Sequence, residues 1–143
     1  MTTQFGDKLV DEGNEYSIKP FPLNDLAGTW NTVIVDGEEV PRFRASSSAC
    51  WRGYIATWTI EDGKLYLTNF AAKDRNRADL TMHDVFGADR LFAIWFTGEL
   101  SSPFGNRISG RYEPMFEQNN VWQFEKGVLL QRFVRNNHAP AAI

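Results

Sequence analysis

Covalent chemistry needs a nucleophile with a base in reach, and this chain offers few of either. Cys50 is the single cysteine, and the two histidines, His83 and His138, stand far apart in sequence. One cysteine excludes an internal disulfide, a Cys-x-x-Cys redox pair and a thiolate zinc site. With Ala49 and Trp51 beside it, Cys50 reads as a small buried hydrophobe. Two histidines without His-x-His or His-Glu-x-x-His spacing make no conventional metal site, so no metal is expected. The serines Ser46, Ser47 and Ser48 form a polar run with no Gly-x-Ser-x-Gly elbow around them. Gly98, Gly105 and Gly110 are dispersed, with no Lys-Ser or Lys-Thr after them to cradle a phosphate. Glu99 and Glu113 could act as a carboxylate pair only at a separation that sequence does not fix. The chain is expected to be no enzyme and to need no cofactor.

The arginines carry more information. They outnumber lysines ten to five in the sequence, and the guanidinium is the group suited to planar, bidentate ion pairs at interfaces. Arg42, Arg44 and Arg52 lie close together, with Trp51 and Tyr54 beside them. In an extended strand Arg52 shares a face with Cys50, Tyr54, Ala56, Trp58 and Ile60. A cation on such a face must pair, snorkel or meet a ligand. One outcome is a structural pair with Glu99 or another carboxylate. The other is a rim site where Arg42, Arg44, Trp51 and Arg52 anchor a partner, since arginine and tryptophan dominate interface hot spots. The charged loop at residues 73–77 is a further contact candidate and otherwise a solvated connection.

The elements that must hold these residues are strands. Asp62-Gly63 separates two aromatic and β-branched runs and predicts a two-residue hairpin. Its register pairs Glu61 with Lys64, Ile60 with Leu65, Trp58 with Leu67 and Ala56 with Asn69. The core face then holds Ala56, Trp58, Ile60, Leu65 and Leu67, and Phe70 falls on the opposite, mixed face. Lys126-Gly127 predicts a second hairpin, with Trp122, Phe124, Leu129 and Phe133 on one side. Asp36-Gly37 predicts a third and Gly13-Asn14 a fourth. Residues 91–96 are apolar on both faces, as in a strand covered on both sides. Thr81 and Asp84 have capping-box spacing and predict one short helix near 80–86, ended by Gly87. The prolines fall between or at the edges of the predicted strands.

Size and charge close off other classes. The chain has 143 residues, 43% hydrophobic and 14% aromatic, which suits one domain with its own core. The expectation is a mainly β single domain over 1–143, a sandwich or barrel of eight to ten antiparallel strands, with 136–143 a frayed tail. No apolar run reaches membrane-spanning length, and the first residues lack the basic-then-apolar order of a secretory signal. A net charge of −3 argues against nucleic acid as a default partner. These features predict a cytoplasmic protein without a membrane partner.

Two resemblances add to this reading. Leu26-Ala27-Gly28-Thr29-Trp30 resembles the Gly-x-Trp element that opens the first barrel strand of lipocalins, fatty-acid-binding proteins and avidin-like proteins. It implies a calycin-like barrel around a small hydrophobic ligand, with Trp30, Tyr54, Trp58 and Trp95 lining the cavity. A longer pattern covers the middle half of the chain. It runs through Arg52-Gly53-Tyr54-Ile55-Ala56-Thr57-Trp58, then Leu65-Tyr66-Leu67, then Trp95-Phe96-Thr97-Gly98-Glu99 leading to Pro103 and Gly105. It resembles a family of small bacterial β-rich proteins without signal peptides or catalytic signatures. That profile is similar to the immunity proteins that protect bacteria from their own secreted polymorphic toxins. The resemblance implies a toxin inhibitor that works by protein–protein interaction, occluding the active site of a cognate toxin or effector.

Overall fold

The computed structural model describes residues 6–28, 30–43, 53–109 and 115–137. In chain order its elements are β1 (Asp7–Asp11), β2 (Asn14–Ile18), a 3₁₀ turn (Pro22–Asp25), β3 (Thr32–Val35), β4 (Glu38–Pro41), β5 (Tyr54–Glu61), β6 (Lys64–Lys73), β7 (Asp79–Leu80), α1 (Met82–Phe86), β8 (Leu91–Phe92), β9 (Gly98–Ser109), β10 (Met115–Glu125) and β11 (Val128–Asn136). The fold is mainly β, as the turn chemistry predicts.

Four tight turns share one chemistry. Glu12-Gly13, Asp36-Gly37, Asp62-Gly63 and Lys126-Gly127 each hold both residues at positive φ, the twist that suits a two-residue hairpin. Glycine takes the second place every time. This corrects the first hairpin, whose turn is Glu12-Gly13 and not Gly13-Asn14, so that Asn14 starts β2 opposite Asp11.

The large sheet runs β2-β1-β5-β6-β11-β10-β9, with β7 and β8 also paired to β6. All pairs are antiparallel except β1 with β5, where Lys8, Leu9 and Val10 run parallel to Thr57, Trp58 and Thr59. The sheet also rolls far enough for its edges to meet. Lys19 and Ser101 exchange two backbone hydrogen bonds, of 3.0 and 2.8 Å, joining the end of β2 to β9. The opposite seam is thin, since β6 and β11 pair only at Lys64 and Val128. β3 and β4 stand apart as a separate two-stranded sheet.

Inside the roll pack Leu9, Ile18, Ala56, Trp58, Leu65, Leu67, Phe96, Leu100, Trp122 and Phe124, all buried. Each large apolar side chain there contributes about 1.5–3 kcal/mol relative to exposure. Two carboxylates are buried among them. Asp7 accepts from the Ala56 N–H at 3.2 Å and from the Trp58 indole at 3.1 Å, tying β1 to β5. Asp11 accepts from the Trp122 indole at 2.9 Å and from Arg132 at 2.9 Å.

Two bulges correct the predicted faces. Trp58 pairs with Leu67 but Thr57 pairs with Asn69, so Thr68 is an extra residue. Its hydroxyl bonds to the Thr57 carbonyl and the Thr59 hydroxyl, which holds the bulge in place. Ala56 therefore faces Phe70, not Asn69, and Phe70 turns inward to stack on Tyr54 at 5.3 Å between ring centres. In β11, Phe124 pairs with Leu129 and Gln123 with Gln131, so Leu130 is extra. Phe133 then lies opposite Val121 on the outer face, and Arg132 takes the place beside Trp122.

Residues 91–96 are not one strand. Only Leu91 and Phe92 pair with β6, and Ile94 and Trp95 turn over the end of the sheet. Ala93 and Phe96 point into the core and Trp95 packs on Trp58, while Ile94 is exposed, so the run is not covered on both sides. Pro103 lies inside β9, on an outer strand that tolerates a missing N–H. The tail prediction also shifts. Asn136 belongs to β11, and the Asn137 side chain donates to the Phe116 carbonyl at 2.9 Å. The helix forms as predicted: Thr81 and Asp84 cap each other reciprocally, and Gly87 closes α1 in the left-handed conformation.

Candidate functional site

Of the four residues predicted to bind a partner, Arg44, Trp51 and Arg52 lie outside the described residues, as do Cys50, Glu113 and His138. Arg42 is half-buried at the foot of β4. Its guanidinium donates to the Trp30 carbonyl at 3.3 Å and to the Asp84 carbonyl of α1 at 3.4 Å. Its backbone N–H donates to the Asn31 carbonyl at 2.9 Å. Arg42 therefore holds the base of the β3–β4 hairpin against α1. Arg75 adds a contact to the Pro41 carbonyl, and Phe43 bridges to Asp74.

The loop at 73–77 is a tight turn. Asp74 accepts from the N–H groups of Asn76 and Ala78, while Lys73 pairs with Asp79 at 2.7 Å. Together with α1 it forms a platform from which the hairpin extends.

That hairpin was legible as a hairpin but not as a surface. Ile34 is 68% exposed and Val35 is also exposed. Cross-strand pairing sets Ile34 beside Glu39 and Val35 beside Glu38, so each face of the tip combines an aliphatic side chain with a carboxylate. Asp36 adds a third acid, and residues 30–41 contain no lysine or arginine. The available signal was the run Thr32-Val33-Ile34-Val35. It is apolar at consecutive positions in a strand too short to be covered on both faces.

On the outer face of β9, β10 and β11, Gln131 donates to Gln123, Gln123 donates to Glu99 at 2.6 Å, and Arg135 pairs with Glu99 at 3.3 Å. The Gln123 amide, and then Arg135, hold the Glu99 carboxyl below its ordinary range. Among the described residues Glu99 thus has Arg135 as its cation, where sequence pointed to Arg52. No group of three or more metal-binding side chains occurs among the described residues.

The four aromatics proposed to line a cavity fall into two packed groups. Trp30 and Tyr54 join Phe43, Phe70 and Phe86 in one cluster of ring contacts. Trp58 and Trp95 meet edge to face at 6.1 Å, and the Trp95 indole donates to the Pro22 carbonyl. A hollow of about 260 Å³ lies among Gly6, Lys8, Glu15, Tyr16, Ser17 and Ile55. None of the four aromatics lines it.

The architecture thus defines a mainly β protein with a rolled, mixed sheet and one projecting hairpin. Comparison with protein-family models, with curated proteins and with solved structures finds no match. No helix among the described residues is long and apolar enough to cross a membrane.

Proposed function

We propose that this protein works by binding another protein and blocking it, in the concrete form of an immunity protein that covers the active site of a cognate bacterial toxin. The observation that supports this reading is the β3–β4 hairpin. It leaves the large sheet, exposes Ile34 and Val35, and surrounds them with Asp36, Glu38 and Glu39. Contiguous exposed aliphatics rimmed by polar groups mark interaction sites, and Ile34 and Val35 are adjacent at the hairpin tip. The fixed base matters equally, because a hairpin anchored by Arg42 and Arg75 loses little freedom when it docks. Arg44, Trp51 and Arg52 follow the hairpin directly in the chain and complete the proposed contact segment. Three carboxylates in a segment, residues 30–41, that contains no lysine or arginine favour a basic partner surface and a fast, salt-sensitive encounter.

The test is capture of tagged protein from its source cells, followed by native mass spectrometry and expression of any captured protein by itself. The expected result is a stoichiometric partner that is toxic when expressed alone and is neutralised by co-expression. Ile34→Asp should abolish the complex, and Glu38→Lys with Glu39→Lys should weaken it and reduce its salt dependence. A toxic partner that binds the hairpin variants as well as wild type would overturn the assigned surface. Recovery of the protein with a small-molecule adduct and no protein partner would overturn the inhibitor reading.

A further inference from the structure

A second surface lies along β11. At its start the strand touches β6, where Val128 pairs with Lys64 and the Leu129 N–H donates to the Gly63 carbonyl at 2.7 Å. Beyond that point β6 pairs with β8 through Tyr66 and Leu67 and leaves β11 behind. Among the described residues no strand pairs with the outer edge of β11 past Leu129.

The direction of its backbone groups follows from the ladder. The Asn137 N–H donates to the Glu117 carbonyl while Asn136 sits opposite Gln118. In an antiparallel pair successive residues alternate, so Asn137, Arg135 and Phe133 bond toward β10. Asn136, Val134 and Arg132 then present N–H and C=O outward.

Proteins normally blunt such an edge with lysine, proline or an inward charge. Residues 128–136 contain no lysine, proline, aspartate or glutamate. The two arginines are already neutralised within the chain: Arg132 by Asp11 and Glu12, Arg135 by Glu99. Leu130 and Val134 are 60% and 49% exposed.

We infer that β11 pairs antiparallel with β11 of a second copy of this chain, about a two-fold axis through Val134. This register keeps each face of the sheet continuous across the axis. Val134 meets Val134 of the second copy, and Arg132 meets Asn136 of the second copy. All of these residues direct their backbone groups outward, so the seam gains about six hydrogen bonds. Phe133 falls opposite Arg135 of the second copy, repeating the guanidinium-over-ring contact that Arg135 makes with Phe133 inside the chain at 5.4 Å. The self-complementary register and the charge balance select a second copy as occupant. A charged foreign strand would find no free ion-pair partner here. One strand edge is a small interface, which places the dissociation constant at about 10–100 µM. The inference is independent of the hairpin reading, because the two surfaces share no residue.

The test is sedimentation equilibrium of the full chain from about 1 to 500 µM, a range that brackets that constant. The expected mass rises from 16.3 kDa toward twice that value. Val134→Lys should weaken association at least tenfold with unchanged circular dichroism. Val134→Pro should do the same, because the lost N–H makes no bond among the described residues. In a Cys50→Ala background, Val134→Cys should form a disulfide-linked dimer under mild oxidation, since directly opposed residues of this kind lie about 5.5 Å apart between Cα atoms. A constant 16.3 kDa across the range overturns the proposal. So does a dimer that survives both the lysine and the proline variants. A dimer in which Val134→Cys fails to cross-link overturns the register.

Discussion

Asp7 is the residue whose removal should be most costly for its size. Its carboxylate is fully buried and accepts from the Ala56 N–H and the Trp58 indole, both buried themselves. Asp7→Ala strands two donors where water reaches poorly, at about 1–3 kcal/mol each, and leaves a small void. The sum is about 3–5 kcal/mol. For a chain of this length that corresponds to a fall in Tm of about 10 °C or more. Urea unfolding followed by tryptophan fluorescence measures the loss directly. A double-mutant cycle then isolates the indole bond. Trp58→Phe removes the indole donor, so Asp7→Ala should cost about 1–2 kcal/mol less on that background. A loss below about 1 kcal/mol for Asp7→Ala, or additivity of the two changes, would refute the claim that this carboxylate fastens β1 to β5.

Three further outcomes follow from the packing. Phe70→Ala should cost about 3–5 kcal/mol in urea unfolding, because the Thr68 bulge turns this ring into the aromatic cluster; on an outer face the cost would be near zero. Gly127→Ala should cost about 3 kcal/mol or more, since a Cβ there would sit 2.5 Å from the Ala93 carbonyl oxygen, whereas Gly13→Ala, with open space around it, should cost only the 1–2 kcal/mol or so of left-handed strain. The Glu99 contribution depends on pH. Its folded-state pKa lies below the ordinary 4.5, so its stabilisation is complete above that value and is lost as pH falls through the lower one. Glu99→Gln should flatten that acid limb in a pH series of urea midpoints, and an unchanged limb would count against the Gln123 and Arg135 contacts.

What could be read in the sequence was what is decided locally. Asp36-Gly37, Asp62-Gly63 and Lys126-Gly127 carry their own backbone preference, and Thr81 with Asp84 completes its cap within one turn. The bulges at Thr68 and Leu130 were not legible, because each is fixed by how a strand meets its neighbour rather than by its own residues. The parallel pairing of β1 with β5 joins segments about fifty residues apart and leaves no local mark. One further signal lies in the first strand. Asp7, Leu9 and Asp11 alternate on one face of a five-residue strand, so burying Leu9 carries both carboxylates inward. At the candidate site, the Asp36-Gly37 turn announced the hairpin. Its separation from the sheet, and hence the exposure of Ile34, needed the three-dimensional arrangement.

The rolled sheet also has a history during synthesis. The first hairpin is held on one side by β5, on the other by Ser101, and from within by Trp122 and Arg132 through Asp11. A chain made from its N-terminus therefore carries residues 7–18 without the full set of their final neighbours until Arg132 has been added. At ordinary translation rates that wait is on the order of ten seconds. Sheets closed by such distant contacts fold slowly, because loop closure is completed before most contacts reward it. The last strands made are the ones that lock the first strands in place. A ribosome that stops before β11 releases a chain whose opening hairpin still lacks Arg132, the cation that neutralises Asp11.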